Sequence, residues 1–398
     1  MPLLDDTFPA ETRRHIVTVT VARLNSNACF RFAPPFLASI SDDFGISLSR
    51  LGVALMITEL VMGTAPLLGA VVDRIPRRTA MAAGLAGVTG ASTLAAVSQS
   101  VWLFVVGITL LGLSKFVFDI GMTAWVNDHV DYERRGRVIG ITETSWALGL
   151  LIGVTIMGLV ASATSWRWGY IVGAHSVAVM VVVVSVRLDG GDAPGSRRHH
   201  DTERHPLPRR GLLIVAGMFF LMAASQCMFV TFGSWLADEY DFSDAAIAGV
   251  VFALGAFELV ASLTSAHRTD VWGKERSTIA GALLIVPSGL LLLIAQHNVA
   301  IGLVLVATFL LGFEFAIVSM LPIGANMIPG APGRGMGFMI GGGTLGRAAM
   351  SVAATAGFDA FGFGAPALIG AVCATGTVLC VLVYAKVSAR VPTAIQVT

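Results

Sequence analysis

Apolar residues gather in long runs along this chain, not at alternate or every-third positions. A helix needs about 20 mostly apolar residues to cross the hydrocarbon core of a bilayer. Twelve such stretches follow one another, near 16–40, 48–72, 79–99, 101–126, 137–162, 166–187, 211–236, 245–267, 277–296, 299–326, 335–358 and 363–386. The breaks between them are short, with one exception. Residues 188–210 are polar, basic and punctuated by Pro and Gly, and they divide the stretches into six and six. The pattern predicts an all-α integral membrane protein: twelve transmembrane helices in two pseudo-symmetric six-helix bundles, 1–187 and 211–398, joined by a linker over 188–210.

Composition narrows the class. Of 398 residues, 55% are hydrophobic and 13% charged, and mean hydropathy is +0.78. A soluble domain carries roughly 25% charged residues, so this chain has too little charge to coat a soluble surface. That excludes a disordered chain, a disulfide scaffold and an ordinary soluble enzyme. The 44 glycines suit close helix packing in lipid. A net charge of +1 gives no electrostatic case for nucleic acid. Cys29, Cys227, Cys373 and Cys380 lie inside apolar runs without CxxC spacing, so neither a disulfide nor a metal site is expected. The first residues have neither the leading basic stretch nor the small-residue cleavage site of a signal peptide.

Orientation follows from Lys and Arg, which favour cytoplasmic loops. With a cytoplasmic N-terminus, twenty of the 26 fall on that side, and only Arg50 and Arg167 fall on the other. Both termini and the middle loop are expected in the cytoplasm, and the chain in the cytoplasmic (inner) membrane. The halves also repeat. Gly52 to Asp73 and Gly249 to Asp270 have the same spacing in similar surroundings, and Gly112…Arg135-Gly136 echoes Gly312…Arg334-Gly335. A repeat split by a loop is the mark of two-bundle transport folds, in which the binding site lies near the midplane.

The stretch Gly69-Ala-Val-Val-Asp73-Arg74-Ile-Pro-Arg77-Arg78 resembles the loop signature of the major facilitator superfamily, with Pro76 where a second Gly is usual. A weaker copy runs from Asp270 through Gly273 to Arg276, and Glu133-Arg134-Arg135-Gly136-Arg137 after the fourth span is similar to the family as well. With the twelve-span pattern, the resemblance covers nearly the whole chain. It implies a bacterial-type transporter of the drug- or sugar-efflux kind. It also implies that Asp73, with Gly69, Arg74, Arg77, Arg78 and Asp270, forms a conformational latch between bundles. An anion at a helix C-terminus is unfavourable and needs such compensation. The antiporter signature of span 5 is incomplete, since Gly149 and Gly153 are followed by Val154 and not by proline.

Nine ionisable residues fall inside spans: Arg23, Arg31, Glu59, Lys115, Asp119, Glu143, Glu258, Glu314 and Arg347. Each costs at least about 2.5–3.5 kcal/mol at the bilayer centre. At 1.5 Å per residue, Arg31 lies about 22 Å and Glu59 about 21 Å from the cytoplasmic end. Lys115, Glu258, Glu314 and Arg347 fall near that level, and Arg23, Asp119 and Glu143 form a second layer nearer the cytoplasm. Depth and spacing suggest the pairs Lys115–Asp119, Arg23–Glu143, Arg31–Glu59 and Glu314–Arg347. Glu258 is then the acid without a fixed cation in its own half. A desolvated, unpaired carboxyl can exchange a proton near neutral pH. Glu258 is therefore the first proton-coupling candidate, with Glu59 and Glu314 in reserve.

Arg31, Arg347, Lys115, Trp146 and Phe338 are the substrate-binding candidates, and Phe30, Trp125, Phe232 and Trp235 are further aromatics that could line a cavity. His199, His200 and His205 read as a solvated linker. With no catalytic constellation and no cofactor motif, the chain is expected to be a monomeric, non-enzymatic secondary transporter. It would export a small organic molecule in exchange for protons. The alternatives are a uniporter or importer of an organic anion, for which the arginines speak, and a non-transporting membrane sensor.

Overall fold

The computed structural model describes residues 8–64, 74–130, 135–188, 207–328 and 332–389, with Leu4, Asp6, Leu68 and Val72 besides. Among the described residues all regular structure is helical. Local chemistry sets the breaks. Pro34 and Pro35 lack the N–H groups that an α-helix requires. Helix Ala10–Arg31 accordingly gives way to a 3-10 turn, Pro34–Phe36, before Leu37–Phe44. Gly45 then adopts φ +61, and its N–H donates to the Asp42 carbonyl. Ser47 accepts from the Arg50 N–H and opens helix Leu48–Met62, so the chain reverses through 120°. Ser100 caps helix Val101–His129, and Asn298 caps Val299–Ala325 in the same manner. Gly273 (φ +89) and Gly362 (φ +71) separate further rods at positive φ, where a side chain would be strained.

Nine helices among the described residues are long and apolar enough to cross a membrane, or ten if the bent pair Ala10–Phe44 and Leu48–Met62 counts as one. The twelve expected spans are thus not all reached by length and composition. Helix Ala10–Arg31 is polar, with Arg23, Asn25, Asn27 and Arg31 along it. Leu48–Met62 has 15 residues, and its expected continuation runs into residues outside those described. Pro332–Phe361 carries Arg334, Arg347 and many glycines, which dilute its apolar content.

By contacts the chain forms two compact units. The first holds Met1–Thr202 and also Leu236–Leu259, a stretch that sequence order puts in the C-terminal half. The second holds Glu203–Trp235 and Val260–Thr398. Each unit has a hairpin packed through glycine. In the first, a Cβ on Gly84 would meet the Phe118 backbone at 2.5 Å, joining Arg77–Val97 to Val101–His129. In the second, a Cβ on Gly281 would meet the Gly312 carbonyl oxygen at 2.6 Å, joining Lys274–Ala295 to Val299–Ala325. Small residues let helix backbones approach where no hydrophobic force draws them together.

The fifth rod of the first unit is irregular. Between Arg135–Leu148 and Thr155–Ala163 lies a π-helical turn, Gly149–Val154. Gly149 and Gly153 of this turn press on Asn27 and Ala28 of helix Ala10–Arg31. The backbone of Leu151, in the same turn, lies 2.5 Å from where a Cβ on Gly255 would sit. Gly255 belongs to helix Asp244–Trp272, and this contact is one reason Leu236–Leu259 packs with the first unit.

Candidate functional site

Arg31 is the last residue of helix Ala10–Arg31, and its side chain is 7% exposed. Its Nη2 donates to Glu258 Oε1 at 2.7 Å and its Nη1 to Glu258 Oε2 at 2.8 Å. This is a two-pronged guanidinium–carboxylate bond, the strong and directional form of the pair. Nη1 also donates to the Trp146 carbonyl at 3.0 Å, and the guanidinium lies 4.9 Å from the centre of the Trp146 ring. Glu258 is fully buried.

The sequence reading of Glu258 as an acid without a cation is therefore corrected. Its cation lies 227 residues away and comes from the other half of the chain. The cause is Gly255, one helical turn before it. That glycine lets helix Asp244–Trp272 approach the π turn, and so carries Glu258 to Arg31. Glu59, the acid matched with Arg31 by depth, is buried on helix Leu48–Met62, at 6% exposed.

A second charged group adjoins the first. Lys115 Nζ lies 2.5 Å from Asp119 Oδ2, one turn on along helix Val101–His129. Arg23 Nε reaches Asp119 Oδ1 at 3.3 Å, and Arg23 Nη1 reaches Glu143 Oε1 at 2.8 Å and the Thr142 carbonyl at 3.1 Å. Lys115, Asp119, Arg23 and Glu143 thus form a chain of alternating charge. The Lys115–Asp119 pair joins the two layers that depth arithmetic distinguished, and Lys115 Nζ is also 5.4 Å from the Trp146 ring that Arg31 covers. Phe30 sits beside them, 5.7 Å from Lys115 and 6.3 Å from Trp146. Two polar residues that no sequence signal marked complete the layer. Asn27 donates to Ser145 Oγ at 3.2 Å, and the buried Asn27 Oδ1 has no hydrogen-bond partner among the described residues.

In the second unit, Glu314 accepts a hydrogen bond from Ser262 Oγ at 2.5 Å. Nearby on the same two helices, Ser265, Thr269 and Ser319 hold one another at 2.9–3.0 Å. The Arg347 carbonyl accepts from Ser351, and Phe338 is 43% exposed. Trp235 stacks on Phe363, and Trp125 lies against His129, so these aromatics pack side chains. Phe232 is buried as well. Of the latch residues, Gly69 and Asp73 lie outside the described residues, as does the Asp270 side chain. Arg74 is exposed, Arg77 pairs with Asp128 at 2.9 Å, and Arg78 donates to the Leu188 carbonyl at 3.2 Å. His199, His200 and His205 are also outside the described residues.

Comparison with known proteins places this architecture. The family model described as Major Facilitator Superfamily matches residues 19–332. The chain is 24% identical over 344 residues to the Bacillus subtilis protein called "Uncharacterized MFS-type transporter YceJ", covering 83% of each. It is 30% identical over 137 residues to YwfA of the same organism, a match that spans 33% of that relative. It is also 25% identical over 288 residues to the Escherichia coli tetracycline resistance protein, class C, covering 66% of this chain and 68% of that one. Among solved structures, the human organic anion transporter MFSD10 superposes with a TM-score of 0.70 at 19% identity, covering 94% of this chain and 100% of that one. A bacterial homologue of the lysosomal transporter Spinster gives 0.71 at 10% identity, covering 94% and 95%. At those identities the structures speak for the fold alone. The chain belongs to the Major Facilitator Superfamily and is a multi-pass membrane transporter, not an enzyme.

Proposed function

We propose that the chain is a secondary active transporter of the cytoplasmic membrane, with both termini in the cytoplasm, working as a monomer. It moves a small organic molecule by alternating access and couples that movement to protons at Glu258. The observation that carries this reading is the buried Arg31–Glu258 pair, flanked by Lys115, Phe30 and Trp146. A carboxylate in a lipid-surrounded interior is tolerated while a cation holds it. It can give up that cation by accepting a proton, so the pair has two states that a proton selects between.

Export is the proposed direction. It is supported by relatives named for tetracycline resistance and, at 21% identity over 289 residues, for multidrug resistance in Bacillus subtilis. The organic-anion reading keeps a specific observation in its favour, the aromatic face shared by Arg31 and Lys115.

The test is transport by purified protein in vesicles with an imposed pH gradient, using a labelled substrate found by a ligand-stabilisation screen. Glu258→Gln, whose amide imitates the protonated acid, should abolish uphill transport and preserve downhill exchange. Uphill transport by Glu258→Gln moves the proton role elsewhere, with Glu59 as the next candidate.

A further inference from the structure

The carboxylate on Arg31 in this structure is the protein's own. The guanidinium offers two parallel N–H donors, at 2.7 and 2.8 Å from the two Glu258 oxygens, and its face lies on an indole. That is how arginine receives a carboxylate of any origin. The surroundings are also those of a receptor for an organic acid. Trp146 and Phe30 supply apolar ring faces, and Lys115 is a second cation within reach of the same ring. Lys115 is releasable, because its acid, Asp119, also holds Arg23, which in turn holds Glu143.

We infer that Glu258 is a tethered stand-in for the substrate's own carboxylate: the ligand is a small organic acid that displaces Glu258 from Arg31, and the proton that Glu258 takes up on leaving moves in the same direction as the ligand. This rests on the proposed coupling at Glu258, taken with the organic-anion reading and not with export, because a proton that moves with the ligand drives uptake. The displacement balances. Before it, Arg31 is cationic, Glu258 anionic, and a carboxylate and a proton arrive from the same side. Afterwards Arg31 holds the new carboxylate and Glu258 is a neutral acid. No covalent bond breaks except that of the transferred proton, and the net charge of the group is unchanged. Release of Glu258 as an anion is disfavoured because its side chain is fully buried. The charged groups sharing this part of the first unit are Arg31, Lys115, Asp119, Arg23 and Glu143, and Glu59 is buried on helix Leu48–Met62 of the same unit. The π turn and helix Thr155–Ala163, which pack on the Glu258 helix, contribute no titratable side chain.

With no ligand bound, Arg31 and Glu258 satisfy each other, so the empty carrier can reorient without exposing either charge. With ligand bound, the ligand takes over the role of Glu258. Only the half-open state, ligand absent and pair broken, is penalised, and that penalty is what forbids leakage of the proton alone.

Calorimetric titration of the detergent-purified full chain tests this, with benzoate as the probe and benzamide as its neutral counterpart. Running it in two buffers of different ionisation heat counts protons. Wild type should take up about one proton per benzoate at about pH 8, with affinity rising about tenfold for each pH unit lowered. Glu258→Gln should bind benzoate at least about tenfold more tightly than wild type at about pH 8, with no proton uptake, because no Glu258 carboxylate then competes for Arg31. Arg31→Gln/Glu258→Gln, with no buried charge left over from the pair, should lose at least about tenfold of that affinity. Benzamide should bind without pH dependence.

Proton release on benzoate binding by wild type overturns the inference. So does benzoate affinity in Glu258→Gln no better than in wild type, or undiminished in the double variant. Either result, together with intact proton-driven transport in vesicles, leaves the proposed function standing. Vesicle transport indifferent to Glu258 removes that function instead.

Discussion

Arg31→Gln leaves the Glu258 carboxyl in a fully buried position with no guanidinium opposite it. A buried pair broken from one side costs about 3–5 kcal/mol, since the remaining charge is uncompensated. The acid has an escape that an arginine lacks, because it can be protonated. Placing a proton on an ordinary glutamate costs about 3.7 kcal/mol at pH 7 and about 1.4 kcal/mol less for each pH unit lower. Arg31→Gln should therefore lose about 3–4 kcal/mol of stability at pH 7 and about 1 kcal/mol at pH 5.

The sign follows from proton counts. In this variant the folded chain keeps a proton on Glu258 that the unfolded chain has released. Stability thus falls as pH rises above the ordinary glutamate range, about pH 4.3. Glu258→Gln removes the carboxylate that both terminal nitrogens of Arg31 reach, and the guanidinium cannot discharge, so its loss of about 3 kcal/mol should not vary with pH. The double variant removes both charges and should lie within about 1 kcal/mol of wild type. Unfolding in detergent can be followed with a thiol-reactive dye, because Cys29 and Cys227 are buried in the folded chain. Equal losses for Arg31→Gln at pH 5 and pH 7, or a double variant as unstable as the worse single one, would refute the reasoning.

Other substitutions probe the elements around the pair. Gly255→Ala puts a Cβ 2.5 Å from the Leu151 amide nitrogen, a backbone atom that cannot swing aside, and should cost about 1–3 kcal/mol. Gly249→Ala on the same helix meets nothing within 4 Å and should stabilise by about 0.5–1 kcal/mol in the same unfolding assay. Asp119→Asn removes the acid shared by Lys115 and Arg23 and should cost about 3–5 kcal/mol, whereas Glu143→Gln, whose side chain is 44% exposed, should cost under about 1 kcal/mol. A π turn is an α-helix with one residue inserted, so deleting Ile152 should return 149–154 to α register with both flanks in phase. The deletion should give folded protein that transports at less than about a tenth of the wild-type rate in vesicles.

Most of the fold was legible because lipid forces every backbone polar group to be satisfied within its own segment, so long apolar runs have little choice but helix. Where the span count falls short, the same physics explains it. Helix Ala10–Arg31 carries the buried Arg23, Asn27 and Arg31, and helix Pro332–Phe361 carries Arg334, Arg347 and many glycines. A residue facing other protein need not be apolar, so a count of apolar residues passes over a helix as polar as Ala10–Arg31. The π turn left no trace in the pattern, since an inserted residue shifts helical phase without changing composition. The placement of Leu236–Leu259 in the first unit was illegible for a related reason. Sequence order orders helices along the chain, whereas a glycine contact such as Gly255 against Leu151 decides which neighbour each one meets.

The charged residues divide along the same line. Lys115 and Asp119 could be paired from spacing alone, because i and i+4 share a helix face whatever surrounds it. Arg23 and Glu143 could be matched by depth, which a fixed rise per residue supplies. Depth also put Arg31 and Glu258 in one layer, and there the reading failed, because depth carries no azimuth. Two helices at the same level can turn their charges toward each other or apart. The repeat in sequence does not bound the contacts of Glu258, whose cation lies in the other half of the chain. One signal in the sequence marks it. A glycine three residues before a buried acid marks the face on which another backbone comes close, and the acid one turn further on points the same way. Gly255 before Glu258 is that arrangement, and it aims the carboxyl at the rod carrying Trp146, against which Arg31 already lies. A fully buried acid so aimed needs a cation from that side, and Arg31 supplies it.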